Sequence, residues 1–191
     1  MPQFIIIGGS NGAGKTSVAY PLLQEQYGIT EYVNADMIAA GLSPFDPDAM
    51  ALEAGRIMLR RIEDLIQEEC DFAIETTLAS RSFATTLKRC KSMGYTCRLI
   101  FVWLGSADLA VERVRKRVAS GGHNIPEDVI RRRYQRGIDN FFDLYRPIVD
   151  AWICYYNGAD GPRRIARGKG ELTVIVEDKD RWELFRSQKS I

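Results

Sequence analysis

Apolar positions along this chain come in two rhythms. Phe4-Ile5-Ile6-Ile7 is a short, unbroken apolar run followed by glycines, the pattern of a strand buried on both faces of a parallel sheet. The run 98–104 (Arg-Leu-Ile-Phe-Val-Trp-Leu) is the most strongly strand-like segment, and further strands are predicted at 72–75, 152–156 and 172–176. Elsewhere the spacing changes to three and four. Met50, Ala54, Ile57, Met58, Ile62, Leu65 and Ile66 follow Asp46-Pro47, an N-cap and first-turn proline, and predict a long amphipathic helix reaching about Cys70. Other helices are predicted over 15–26, 81–92, 108–120 and 126–145, with Asn157-Gly158 as the turn after the 152–156 strand. Strands separated by helices imply an α/β fold: a parallel sheet covered by helices on both faces, with ligands at the carboxyl ends of the strands.

The 191 residues, 46% of them hydrophobic and 27% charged, suit one globular domain over 1–191. Such a length buries roughly 70% of the unfolded surface without help from metals or disulfides. A net charge of +1 argues against a surface coated for nucleic acid or anionic lipid. Cys70, Cys90, Cys97 and Cys154 lie 20, 7 and 57 residues apart, which makes no CxxC pair or zinc-ligand spacing and fits a reduced, cytoplasmic protein. The first residues carry no basic segment, and their apolar run is too short for a signal sequence or a membrane span.

Directly after the first strand stands Gly9-Ser10-Asn11-Gly12-Ala13-Gly14-Lys15-Thr16, a full match to G-x-x-x-x-G-K-[ST], with Ser17 next to it as a further candidate for nucleotide binding. The glycines let successive N–H groups turn toward phosphate oxygens at the positive end of the following helix. Lys15 is placed to reach the β- and γ-phosphates of ATP and Thr16 to coordinate Mg²⁺. No Asn-Lys-x-Asp tetrapeptide marks a GTPase, and no apolar strand ends in the Asp-Glu pair usual in a motor or AAA-type machine. A small phosphotransferase then needs an acceptor-side base, an acid near Mg²⁺ and cations for the transferring phosphoryl group.

Asp36, in Asn34-Ala35-Asp36, is the candidate base at a strand end, with a helix N-cap as the plainer alternative. Glu75 ends the 72–75 strand beside Thr76-Thr77, where it can reach the metal through water or hold an acceptor hydroxyl; a capping or turn carboxylate is the alternative. Asp36, Glu75, Thr76 and Arg81 form the candidate acceptor pocket. Residues 113–136 carry Arg113, Arg115, Lys116, Arg117, Arg131, Arg132, Arg133 and Arg136 against Glu127 and Asp128, a local balance of +6. Two helices joined by Ser120-Gly121-Gly122-His123-Asn124 can close as an arginine lid over ATP. A helix turns every 3.6 residues, so only some arginines can face inward; Arg117 and one or two of Arg131, Arg132 and Arg133 are favoured, with Arg117 and Arg132 as catalytic candidates. His123 is expected to order the lid turn, since no second ligand stands at metal spacing. Aromatic residues do not alternate with these charges as RNA binding would ask.

These pieces together resemble the zeta toxin family of P-loop kinases. The resemblance rests on the phosphate loop, Asn34-Ala35-Asp36 with Ile38-Ala39, Glu75-Thr76-Thr77-Leu78, Gly94-Tyr95, the strand ending at Leu104, Arg113-Val114 through Arg117-Val118 to Gly121-Gly122-His123 and Ile125-Pro126, Arg131-Arg132-Arg133-Tyr134, and Asp150 with Trp152. It covers about residues 3–158, and the tail with Ile165-Ala166-Arg167-Gly168 also looks like the short stand-alone members. It implies ATP-dependent phosphorylation of a sugar hydroxyl on a nucleotide-activated sugar, UDP-N-acetylglucosamine in the founding toxins. Lys15 would serve ATP, Asp36 the proton, Glu75 and Thr76 the acceptor, and Arg117 with Arg131 to Arg133 the phosphates. An antitoxin partner is a further implication, although no antitoxin segment is fused here, and the founding toxins' C-terminal extension is missing. The rival expectations are a nucleoside, nucleotide or antibiotic kinase on the same scaffold, and a non-catalytic ATP-dependent module that binds RNA or protein.

Overall fold

The computed structural model describes residues 1–120, 122 and 124–190. Seven strands form one sheet: β1 (Gln3–Gly8), β2 (Glu31–Val33), β3 (Phe72–Thr76), β4 (Thr96–Trp103), β5 (Ala151–Gly158), β6 (Gly161–Lys169) and β7 (Leu172–Val176). Their order is β2-β3-β1-β4-β5-β6-β7. The first five are parallel, whereas β6 and β7 return antiparallel, so the sheet is mixed rather than purely parallel. Helices cover both sides. They are α1 (Lys15–Pro21), α2 (Ala35–Leu42), α3 (Ala51–Gln67), α4 (Ser82–Ser92), α5 (Ala107–Ala119), α6 (Glu127–Asn140) and α7 (Lys179–Ser187).

The unbroken apolar run explains why β1 is central: Phe4, Ile5, Ile6 and Ile7 are all 0% exposed, with β3 on one side and β4 on the other. The chain leaves β1 for the far side of β3, so connections depart in opposite directions at the β1 edge and open a crevice there. In register, Ile7 lies beside Glu75 and Gly8 beside Thr76, which sets the phosphate loop against the carboxyl end of β3.

Two helices change pitch where sequence reading expected one continuous helix. Pro21 stands inside the 15–26 segment, and a π turn, Leu22–Gln26, follows it; proline supplies no N–H for the α ladder. Likewise α6 runs into a π turn, Phe141–Tyr145, which puts Phe141 and Tyr145 into the core at 0% exposure. The long helix begins one turn later than its cap, with a 3₁₀ turn, Asp48–Met50, after Pro47. Asn157 and Gly158 are not the turn: they pair with Pro162 and Gly161 at the end of β5, leaving Ala159 and Asp160 between the strands. Sequence reading missed β6 and α7. Gly161-Pro-Arg-Arg-Ile-Ala-Arg-Gly-Lys lacks an apolar rhythm, and its strand exists because β5 and β7 pair with it. For α7 a signal was present: Asp178 caps Arg181 N at 3.0 Å, and Trp182 and Phe185 stand three apart on one face. No helix among the described residues is long and apolar enough to cross a membrane.

Candidate active site

Between Gly9 and Gly14 the chain turns so tightly that its three glycines have no room for a side chain. A Cβ on Gly9, at φ +146°, would lie 2.3 Å from the Val102 carbonyl oxygen, and Gly14 begins α1 at φ +78°. Ser10, Asn11 and Lys15 are buried. The Lys15 ammonium crosses the loop to donate to the Ser10 carbonyl at 3.1 Å and stands 3.6 Å from Glu75 Oε1. On the other side the Asn157 amide donates to the Ala13 carbonyl at 2.8 Å, and Arg113 donates to the carbonyls of Asn157 and Gly158 at 2.9 and 3.0 Å. The end of β5 therefore braces the loop.

Glu75 joins the elements. Its Oε2 accepts from the Thr16 hydroxyl at 2.9 Å and from the Tyr32 hydroxyl. Burial and then the Glu75 charge push the Tyr32 phenol up, so it keeps its proton and donates. Thr76 lines a neighbouring cavity, and its hydroxyl accepts from Leu78 N at 3.1 Å. The Thr16 hydroxyl and Glu75 carboxylate are hard oxygen donors, and no cluster of three or more His, Cys, Asp or Glu residues occurs among the described residues. That donor set fits Mg²⁺, which keeps several waters and takes one or two protein oxygens plus phosphate oxygens.

Three adjoining cavities surround this network. One of about 410 Å³ is lined by Lys15, Thr16, Ser17, Glu75, Arg113 and Arg117, among others. A second, of about 200 Å³, has Thr76, Thr77, Phe83 and Arg133 in its wall. The third, of about 310 Å³, is mostly apolar, with Ala35, Ala39, Ala40, Pro44, Pro47, Ala51 and Ile125. Asp36 is the one described residue that lines all three. Its position is neither the strand end nor the helix cap expected from sequence. The strand stops at Val33, and the cap of α2 is Asn34, whose Oδ1 accepts from Asp36 N at 2.8 Å and Met37 N at 3.3 Å. The Asp36 carboxylate is not used in capping and is exposed to the cavities.

The basic segment divides by direction. Arg115 pairs with Glu127, Lys116 with Glu112, and Arg131 with Asp108 and Glu127 on the outer surface. Arg132, a catalytic candidate of the sequence, lies 3.8 Å from Asp128 and lines none of the three cavities. Arg133 faces inward instead: it lines two cavities, and its guanidinium reaches Asn11 Oδ1 at 3.4 Å. Arg113 and Arg117 line the 410 Å³ cavity, whereas Arg81, exposed at the start of α4, lines none of the three. Gly122 N donates to the Arg117 carbonyl at 2.9 Å, tightening the end of α5. Gly121 and His123 lie outside the described residues. Sequence reasoning missed Tyr32 as a site residue and misplaced Asn157 in a turn. Their partners lie 43 and 144 positions away in the chain, and no local spacing joins them.

Comparison with known proteins fits this geometry. The AAA domain family matches residues 4–143. A protein of Haemophilus influenzae (strain ATCC 51907 / DSM 11121 / KW20 / Rd), described as uncharacterized, is 29% identical over 126 residues, covering 66% of this chain and 88% of its own. A chain in the crystal structure of AvrRxo1-ORF1:-ORF2 with ATP superposes with a TM-score of 0.73 at 16% identity over 100% of this chain. This chain spans 65% of that one. A chain of the PezAT chromosomal toxin-antitoxin system of Streptococcus pneumoniae gives a TM-score of 0.63 at 16% identity, covering 98% of this chain and 86% of that one. At such identity these likenesses carry the fold, which is P-loop kinase-like. The absent Asp-Glu strand end does not exclude the AAA domain itself; the match includes β3 with Glu75-Thr76 at its end.

Proposed function

The chain belongs to the AAA domain family of P-loop proteins, and on that footing we propose that it is an ATP-dependent kinase acting on a hydroxyl of a small molecule. The observation that carries this reading is the place of Asp36, which lines both the cavity bordered by the phosphate loop and the apolar cavity beside it. The loop amides and Lys15 bind the ATP phosphates. Thr16, with Glu75 through water, would hold Mg²⁺, which when bound would neutralise charge on the ATP phosphates. Asp36 accepts the proton of the acceptor hydroxyl, and Arg117 and Arg133 stabilise the phosphoryl group in transfer. Helices α5 and α6 act as the lid. The resemblance to zeta toxins makes a nucleotide-activated amino sugar such as UDP-N-acetylglucosamine the first acceptor to try, and a separate antitoxin the first partner. PezAT is a toxin-antitoxin system, which supports that choice.

The test is incubation with labelled ATP and a panel of UDP-sugars, nucleosides and aminoglycosides, followed by product analysis. A phosphorylated small molecule is expected from wild type. Lys15→Ala should lose transfer through poor ATP handling. Asp36→Ala should lower kcat by about 10²–10⁴-fold with ATP binding nearly intact. Full transfer by Asp36→Ala removes Asp36 from its role, and steeply salt-dependent RNA retention with no product would favour a binding module instead.

A further inference from the structure

We infer that Tyr32 is a positioning residue for the metal-binding end of the nucleotide site, its hydroxyl holding Glu75 in the orientation that leaves the Thr16 lone pairs free for Mg²⁺. This rests on the proposed function only in so far as that reading puts a Mg²⁺-nucleotide on the phosphate loop.

The sheet fixes the meeting. Tyr32 in β2 lies opposite Ala73 in β3, and side chains alternate along a strand, so Tyr32 shares a face with Glu75 two residues on. Glu75 in turn lies beside Ile7, just before the loop begins. Its carboxylate is held at both oxygens: Oε2 accepts from Tyr32 and from Thr16, and Oε1 faces the Lys15 ammonium at 3.6 Å. A threonine hydroxyl has one proton and two lone pairs. While Glu75 takes the proton, both lone pairs can serve a cation. If the carboxylate rotates away, the proton competes for the direction a metal needs. Losing an outer partner of this kind typically weakens metal binding about 10–100-fold.

The phenol ring is braced as well. It meets Tyr20 of α1 edge to face, with centroids 5.8 Å apart, and the Tyr20 hydroxyl lies 3.6 Å from the sulfur of Met37, the neighbour of Asp36. One chain of contacts thus runs from the metal end of the site to the first turn of α2.

Tyr32→Phe keeps the ring and removes only the hydroxyl. ADP binding followed by calorimetry across a Mg²⁺ titration is expected to show the half-maximal Mg²⁺ concentration raised about tenfold, with ADP binding in EDTA unchanged. An unchanged Mg²⁺ requirement overturns the inference. A second comparison separates positioning from general structural damage. In a Thr16→Val background the hydroxyl is already gone, so adding Tyr32→Phe should change the Mg²⁺ requirement far less, only through the water-mediated hold of Glu75. An undiminished shift in that background also overturns it. The titration reads nucleotide binding, not transfer. Failure of the acceptor screen therefore counts against the kinase reading, while a shifted Mg²⁺ requirement still supports the role of Tyr32.

Discussion

Arg132 and Arg133 are sequence neighbours with opposite surroundings, because consecutive positions on a helix point about 100° apart. Arg133 looks toward Asn11 and two of the cavities, and Arg132 toward Asp128 at the surface. The two can be told apart by kinetics. Arg133→Met should lower kcat by about 10²–10³-fold with little change in thermal stability, as expected for a cation stabilising a transferring phosphoryl group. Arg132→Met should stay within about twofold, since exposed ion pairs contribute little. A larger loss from Arg132→Met than from Arg133→Met would reverse the assignment. Sequence reading had reduced the cluster to a few arginines but could not orient it: the helical phase is set by Ile130, Tyr134 and Ile138, buried on the opposite side. The loop lysine and threonine were legible because their chemistry is local, being a turn of glycines followed by a helix start.

Strand β5 does more than fill the core. Its last residues reach the phosphate loop through Asn157 and helix α5 through Arg113. Asn157→Ala removes the donor to the Ala13 carbonyl and leaves that buried acceptor unpaired, at a cost of about 1–3 kcal/mol. The expected result is ATP affinity weakened about five- to tenfold, read by calorimetry, with kcat at saturating ATP near wild type. A variant with normal affinity and low kcat would instead put Asn157 on the transfer step. The element pattern was readable where apolar periodicity is strong, as in β1, α3 and β4. It failed at β6, whose arginines give no period, and at the two π turns, where a proline in one case and core aromatics in the other shift the helix by one residue.

Across the molecule, the C-terminal segment closes an aromatic core begun far upstream. Phe185 of α7 packs against Phe101, Trp103 and Phe141, and Trp182 stacks on Trp152 at 5.5 Å. Phe185→Ala should destabilise the chain by about 3–5 kcal/mol, seen as a lower urea midpoint, while ADP affinity of the folded fraction holds. A loss below about 1 kcal/mol would mean that α7 is not integral to the core. The basic segment likewise changes meaning in three dimensions. Four of its eight cations, Arg115, Lys116, Arg131 and Arg132, pair with exposed acids, whereas Arg113, Arg117 and Arg133 line the cavities. The sequence was enough for the phosphate loop, the α/β alternation and the central strands, since each follows from the residue types and spacing of a short segment. Folding was needed to bring Tyr32 to Glu75, Asn157 to Ala13 and Asp36 to three cavities at once. Those contacts join positions tens of residues apart or more, and strand register and helical phase, which bring them together, are set by burial in the whole chain.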